Sequence, residues 1–255
     1  MNIPVALQVY TIRDEVSKNY EAALEKVSKM GYEGLEIGGF GPYSSEEWNK
    51  ILKKLNLKIV SNHIQIETLE ESFNHIAEFN LSIGNSRIVC PYLREERRES
   101  LEDYKRTADS LNQIGAKCKS KGLKLFYHNH AFEFKEYDGK KGMDILFENT
   151  DPELVMFEID TYWVKYAGMD PTDLIKAYNG RCGIIHLKDM EATEKRSFAE
   201  VGEGCLDFHS IMKAAVEAGA DWFIVEQDIC KRPSLESAGI SVKNIRKIKN
   251  EIGLK

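Results

Sequence analysis

The stretch "LFYHNHAFEF", Leu125 to Phe134, ends an apolar run with His128, Asn129, His130 and Glu133. Buried polar groups cost free energy unless hydrogen bonds or a metal satisfy them, so a cluster of this kind at the end of a core strand asks for a partner. Other apolar runs end the same way. Gln8 and Tyr10 close "VALQVY", Glu36 lies in "GLEIGG", Asn62 and His63 close "LKIVSNH", and Tyr92 closes "SRIVCPY". Glu158 and Asp160 close "LVMFEID", His186 and Lys188 lie in "GIIHLKD", and Glu226 and Asp228 close "WFIVEQD". Acids gathered this densely in a low-dielectric site repel one another unless a cation lies among them. Oxygen ligands with an imidazole suit a divalent ion, Mn²⁺, Mg²⁺, Co²⁺ or Zn²⁺, rather than a thiolate-selected one. The expected ligands are Glu133, Asp160, His186 and Glu226. A strand-end acid taken singly is more often a helix cap or a salt-bridge partner, and it is the joint occurrence that favours a metal. His130 is read as a substrate contact or a support for a ligand, and His128 as a satisfied core histidine.

The elements that must position these residues follow from the same runs. Eight apolar stretches, rich in Val, Ile and Leu, alternate with helical segments, the pattern of parallel strands covered on both faces. Helix signals stand between them: Ser44 before "SEEWNKILKKL", Asp170-Pro171, Asp207 before "FHSIMKAAVEAG", and Gly31, Gly122 and Gly219 as stops. The reading is a single α/β domain over residues 1–255, an eight-stranded (β/α)8 TIM barrel. Three long insertions, "AFEFKEYDGKKG", "TYWVKYAGMD" and "MEATEKRSFAEVGEGCLD", follow strands five, six and seven, on the face where such barrels bind substrate. Gly202-Glu203-Gly204 is a weak match to a phosphate loop, because it lacks the GxGxxG spacing.

Composition narrows the function classes. A net charge of −6 and a pI near 5.7 disfavour a phosphate-backbone partner. Five dispersed cysteines without a CxxC pair argue against a disulfide framework or a thiolate zinc site and fit a reducing cytoplasm. No signal-peptide pattern and no run of membrane-spanning length is present. The expected partner is a small molecule, with no nucleic acid and no membrane; a homo-oligomer is left open.

"YHNHAFEF", "EIDTYW", "IIHLKD", "VGEGCLDF" and "IVEQD", in that order, resemble the sugar phosphate isomerase/epimerase family of xylose isomerase-like TIM barrels, over the whole chain. The resemblance implies one divalent metal on a Glu-Asp-His-Glu set that maps onto Glu133, Asp160, His186 and Glu226. The family's leading glutamate sits at the strand end, a place that His130 takes here. The implied reaction is isomerisation or epimerisation: proton transfer beside a ketose carbonyl through an enediolate, with Glu133 and Glu226 as base and acid. His63, His130, Lys188, Glu36, Trp163 and Arg13 are expected to contact the sugar or a charged group on it. A metal-dependent dehydratase or lyase, acting on an inosose or a 3-keto-glycoside, and a sugar-binding barrel without turnover are the alternatives.

Overall fold

The computed structural model describes residues 3–254. Its eight-stranded barrel comprises β1 (Val5–Gln8), β2 (Gly34–Gly38), β3 (Lys58–His63), β4 (Arg87–Cys90), β5 (Lys124–His128), β6 (Val155–Asp160), β7 (Cys182–Leu187) and β8 (Trp222–Val225). Each strand pairs with the next, and β8 closes in parallel on β1. The eight apolar runs are these eight strands. The helix signals also hold: Ser44 forms a reciprocal capping box with Glu47 at the start of Ser45–Leu55, and Asp170 and Asp207 cap Pro171–Ala177 and Phe208–Glu217. Gly31 ends Tyr20–Met30 at φ 89°, a left-handed conformation in which a side chain would be strained.

Side chains alternate across each strand, and the barrel separates them into two apolar sets. Leu7, Leu35, Leu125, Phe157, Ile185 and Val225 belong to the large core that includes residues of the surrounding helices. Ala6, Val60, Val89, Phe126, Ile184 and Ile224 form a second cluster, against which Met156 and Trp222 pack, and this plugs the barrel interior. Gly34 is required beside that plug, because a Cβ there would collide with Val60 and Trp222. Two residues beyond the plug, on the same strand faces, come Gln8, Glu36, His128, Glu158, His186 and Glu226, all buried. The period of two therefore stacks a polar layer on an apolar one.

The long insertions carry structure of their own. After β5, a tight turn at Phe132–Phe134 leads to a two-stranded hairpin, Glu136–Tyr137 with Lys140–Lys141, reversed at Asp138-Gly139. After β6, Thr161–Tyr166 forms a short helix, and after β7, Asp189–Met190 pairs with Phe198–Ala199. The amides of Gly202, Gly204 and Leu206 all donate to the Asp189 carboxylate. That segment clamps its own loop, which explains its glycines without a phosphate.

Candidate metal centre and active site

The polar residues form two tiers that share a pair of histidines. In the rim tier, the ligand atoms of His128, Asp160, His186 and Glu226 lie within 4.8 Å of one another. His128 Nε2 is 3.7 Å from Asp160 Oδ2, and His186 Nδ1 is 3.1 Å from Glu226 Oε2. Lys188 places its ammonium 3.2 Å from Asp160 Oδ2, 3.0 Å from Glu226 Oε2 and 2.7 Å from Asp228 Oδ2. In the deep tier, His63, Glu158 and the same two histidines form a second group of comparable compactness. Glu158 Oε2 lies 2.9 Å from His63 Nε2, 2.9 Å from His128 Nδ1 and 3.1 Å from His186 Nε2. Glu36 Oε2 lies 2.7 Å from His186 Nε2 and 2.7 Å from Gln8 Nε2.

Strand register brings these groups together. His128 on β5 is the direct cross-strand partner of Glu158 on β6, and Asp160 is that of His186 on β7. Asn129 accepts from the Asp160 amide at 2.9 Å, and Thr161 Oγ1 accepts from the Lys188 amide at 3.0 Å, so the ends of β5, β6 and β7 are tied to one another. Asp160 is a helix cap, and one of its two oxygens serves that purpose. Its Oδ1 caps the short helix by accepting from the Trp163 amide at 3.0 Å, while its buried Oδ2 accepts no aligned hydrogen bond.

The charges respond to this packing. Burial opposes ionisation of Glu158, yet the surrounding histidines hold its carboxyl down at about 2. His63, against burial, is raised to about 10 by Glu36 and Glu158. Asp160 is pushed up to about 6 by burial, opposed by Lys188 and His186. Burial disfavours the Lys188 cation, but Asp160, Glu226 and Asp228 outweigh it and hold the ammonium charged.

Three of the four expected ligands, Asp160, His186 and Glu226, come together; Glu133 does not join them. It lies one turn past β5, where Tyr127 Oη donates to its Oε1 at 2.7 Å and the His130 amide to its Oε2 at 2.9 Å. Both oxygens are thereby occupied, and burial raises its pKa to about 7. The position on β5 that faces the rim belongs to His128, the residue assigned to the core from sequence. The alternation Phe126, His128 on β5, in step with Ile184, His186 on β7, is the signal that identifies it.

The other expected contacts divide. A cavity of about 600 Å³ opens above the rim tier, lined by Arg13, His63, His130, Lys188, Glu226 and Asp228 among others. Arg13 donates to the carbonyls of Tyr10 and Asp228 at its mouth. His130 stacks on Phe132, its Nδ1 buried without a hydrogen-bond partner. Glu36 lies beneath this cavity, fully buried, and is not among its lining residues. Trp163 packs against His130 but lines a neighbouring aromatic groove with Tyr166 and Phe198. Among the described residues no helix is long and apolar enough to cross a membrane.

The donor set fits a divalent cation. It offers two carboxylates and two imidazoles, and the buried Asp160 Oδ2 accepts no aligned hydrogen bond, only the Lys188 ammonium standing 3.2 Å away.

Comparison with known proteins agrees with this architecture. The chain is 26% identical over 246 residues to an inosose dehydratase of Clostridium beijerinckii, covering 82% of each. A crystal structure of a sugar phosphate isomerase/epimerase from Parabacteroides distasonis superposes with a TM-score of 0.86 at 26% identity, covering 96% of this chain and 94% of that one. The IOLI protein with a bound zinc atom shares the fold at a TM-score of 0.79 and 16% identity, covering 98% of this chain and 99% of that one. The sequence model of the xylose isomerase-like TIM barrel family matches residues 24–249, and the chain belongs to that family.

Proposed function

We propose that the protein is a divalent-metal-dependent lyase that removes a β-oxygen substituent, as water or an alcohol, from a keto sugar or keto cyclitol. One observation carries the reading. Of the two carboxylates expected as opposed bases, Glu226 lines the cavity beside Lys188, whereas the oxygens of Glu133 are held by the Tyr127 hydroxyl of β5 and the His130 amide. Epimerisation needs a base on each face of the sugar, while elimination proceeds with one. The likeness to inosose dehydratases supports the same choice.

His128, Asp160, His186 and Glu226 would hold the cation, which supplies Lewis-acid polarisation of the substrate carbonyl and so acidifies the neighbouring C–H. Glu226 takes that proton. The electron pair released from carbon forms a C=C bond as the C–O bond to the β-oxygen breaks, and Glu226, now a carboxylic acid, returns its proton to the departing oxygen. Lys188, fixed by Asp228, offsets negative charge growing on the carbonyl oxygen without reorganising. His130 and Arg13 line the cavity at places where they can hold sugar hydroxyls or an anionic substituent.

A second reading has its own support. If Glu226 returns the proton to the former carbonyl carbon while the neighbouring hydroxyl's proton passes to the former carbonyl oxygen, the product is an aldose–ketose isomer, a reaction consistent with the name of the Parabacteroides protein.

The test is incubation of the metal-loaded protein with inososes, ketoses and 3-keto-glycosides in D₂O, followed by NMR and by absorbance of the unsaturated ketone. Elimination is expected, and Glu226→Gln should lower turnover by roughly 10²- to 10⁴-fold. Deuterium at the carbon beside the carbonyl without elimination would move the assignment to an isomerase. Neither elimination nor exchange with any of these compounds would sink both readings.

A further inference from the structure

We propose that Glu36 and Glu158, held together by His63, are positioning residues that determine which nitrogen each of His186 and His128 turns toward the rim. The proposal rests on the reading of a cation held by His128, Asp160, His186 and Glu226. An imidazole ligates through the nitrogen whose partner carries the proton, and the group that accepts that proton's hydrogen bond fixes the tautomer.

The two histidines are used in opposite senses. His128 Nδ1 is 2.9 Å from Glu158 Oε2, which leaves Nε2 on the side of Asp160. His186 Nε2 is 2.7 Å from Glu36 Oε2, which leaves Nδ1 on the side of Glu226. A carboxylate only accepts, so Glu158 and Glu36 call for N–H on the nitrogens facing them; Glu226 Oε2 also faces His186 Nδ1 at 3.1 Å, and there a shared cation would take the place of the proton. Reversing either tautomer would set a lone pair against a carboxylate and turn N–H toward the metal position.

The shelf is itself held in place. His63 Nε2 spans Glu36 Oε2 at 3.0 Å and Glu158 Oε2 at 2.9 Å, while Gln8 Nε2 and Ser61 Oγ donate to Glu36. Glu36, Ser61 and Glu158 are fully buried, and the apolar plug lies below them. The deep group could also be read as a second cation site. Filling it would strip both shared imidazoles of their remaining proton, whereas one proton on each gives Glu36 Oε2 and Glu158 Oε2 a donor.

The test uses Zn²⁺ as the probe on the whole chain. Long-range ¹H–¹⁵N NMR of the zinc-loaded protein should show His128 protonated at Nδ1 and His186 at Nε2. Chelator competition should give a single zinc per chain, held roughly 10- to 100-fold more weakly in Glu158→Gln and Glu36→Gln. Opposite tautomers, two zinc ions per chain, or unchanged zinc affinity in both variants would overturn the proposal. If the variants do not fold, the tautomers of the wild-type protein decide. Zinc bound with unchanged affinity in both variants removes this proposal alone, and a wild-type chain that holds no zinc removes the metal reading with it. Turnover is not read in this experiment, so failure of the lyase assignment appears separately.

Discussion

The two halves of the barrel interior are built on the same strands and the same strand faces, about 7 Å apart by the rise of an extended chain. Below lie Phe126, Met156, Ile184 and Ile224; two residues on lie His128, Glu158, His186 and Glu226. The lower half is stabilised by removing apolar surface from water and by close packing, and it needs no particular partner for any one side chain. The upper half is stable only as a set, because each buried charge depends on an oppositely charged neighbour. Apolar residues could fill a barrel to its rim, so a polar upper half marks where stability gives way to chemistry.

The sharpest way to break this division is to move a charge down one layer. Ile224→Asp would bury a carboxylate in the apolar plug without a partner, and destabilisation of more than about 4 kcal/mol is expected from urea unfolding, or no soluble protein at all. A variant close to wild-type stability would show that the lower half is not dry.

Lys188→Met acts on the upper half by removing the ammonium from among Asp160, Glu226 and Asp228. The loss should be about 3–5 kcal/mol without metal. Added Mn²⁺ or Zn²⁺ at a hundred times its dissociation constant should return about 2.7 kcal/mol by binding the folded state. Thermal unfolding with and without metal reads both, and a metal-free variant as stable as the metal-free wild type would mean that Lys188 does not balance the rim acids.

Phe126→Ala should cost about 3–4 kcal/mol through the cavity it opens, yet leave turnover per folded molecule nearly unchanged. Glu226→Gln should show the converse, with turnover lost and stability altered by less. Steady-state rates beside denaturation midpoints separate the two halves, and a Phe126→Ala enzyme as inactive as Glu226→Gln would join them.

The smallest effect concerns Glu133, which sits beside the rim without belonging to it. Burial raises its pKa from 4.5 to about 7 in the folded chain. Below the unfolded value both states are protonated. Between pH 4.5 and 7 the unfolded chain releases the proton first, so its contribution to stability falls as pH rises, by up to about 3 kcal/mol, and levels off above pH 7. Glu133→Gln should therefore lose less stability between pH 5 and 8 than wild type does, and equal losses would place the ionised carboxylate comfortably in its loop.

The sequence by itself determined the barrel and pointed to three of the four residues that cluster in the candidate centre. Continuous Val/Ile/Leu runs can be satisfied only between layers, and the turn residues between them left few other topologies. Asp160, His186 and Glu226 were legible because each ends such a run and the ends of parallel strands meet at one mouth. Tertiary structure decided the fourth position. Glu133 and His128 lie five residues apart in one motif, and no local pattern says which carboxylate or imidazole turns inward. The in-register pairing of β5 with β6 places His128 against Glu158, while the turn after β5 carries Glu133 back onto Tyr127. The same holds for Glu36 and Glu158, which look from sequence like further rim acids but pack against the inner nitrogens of His186 and His128. Depth in a barrel is a property of strand stagger, which pairing across the closed sheet sets and a single strand cannot encode.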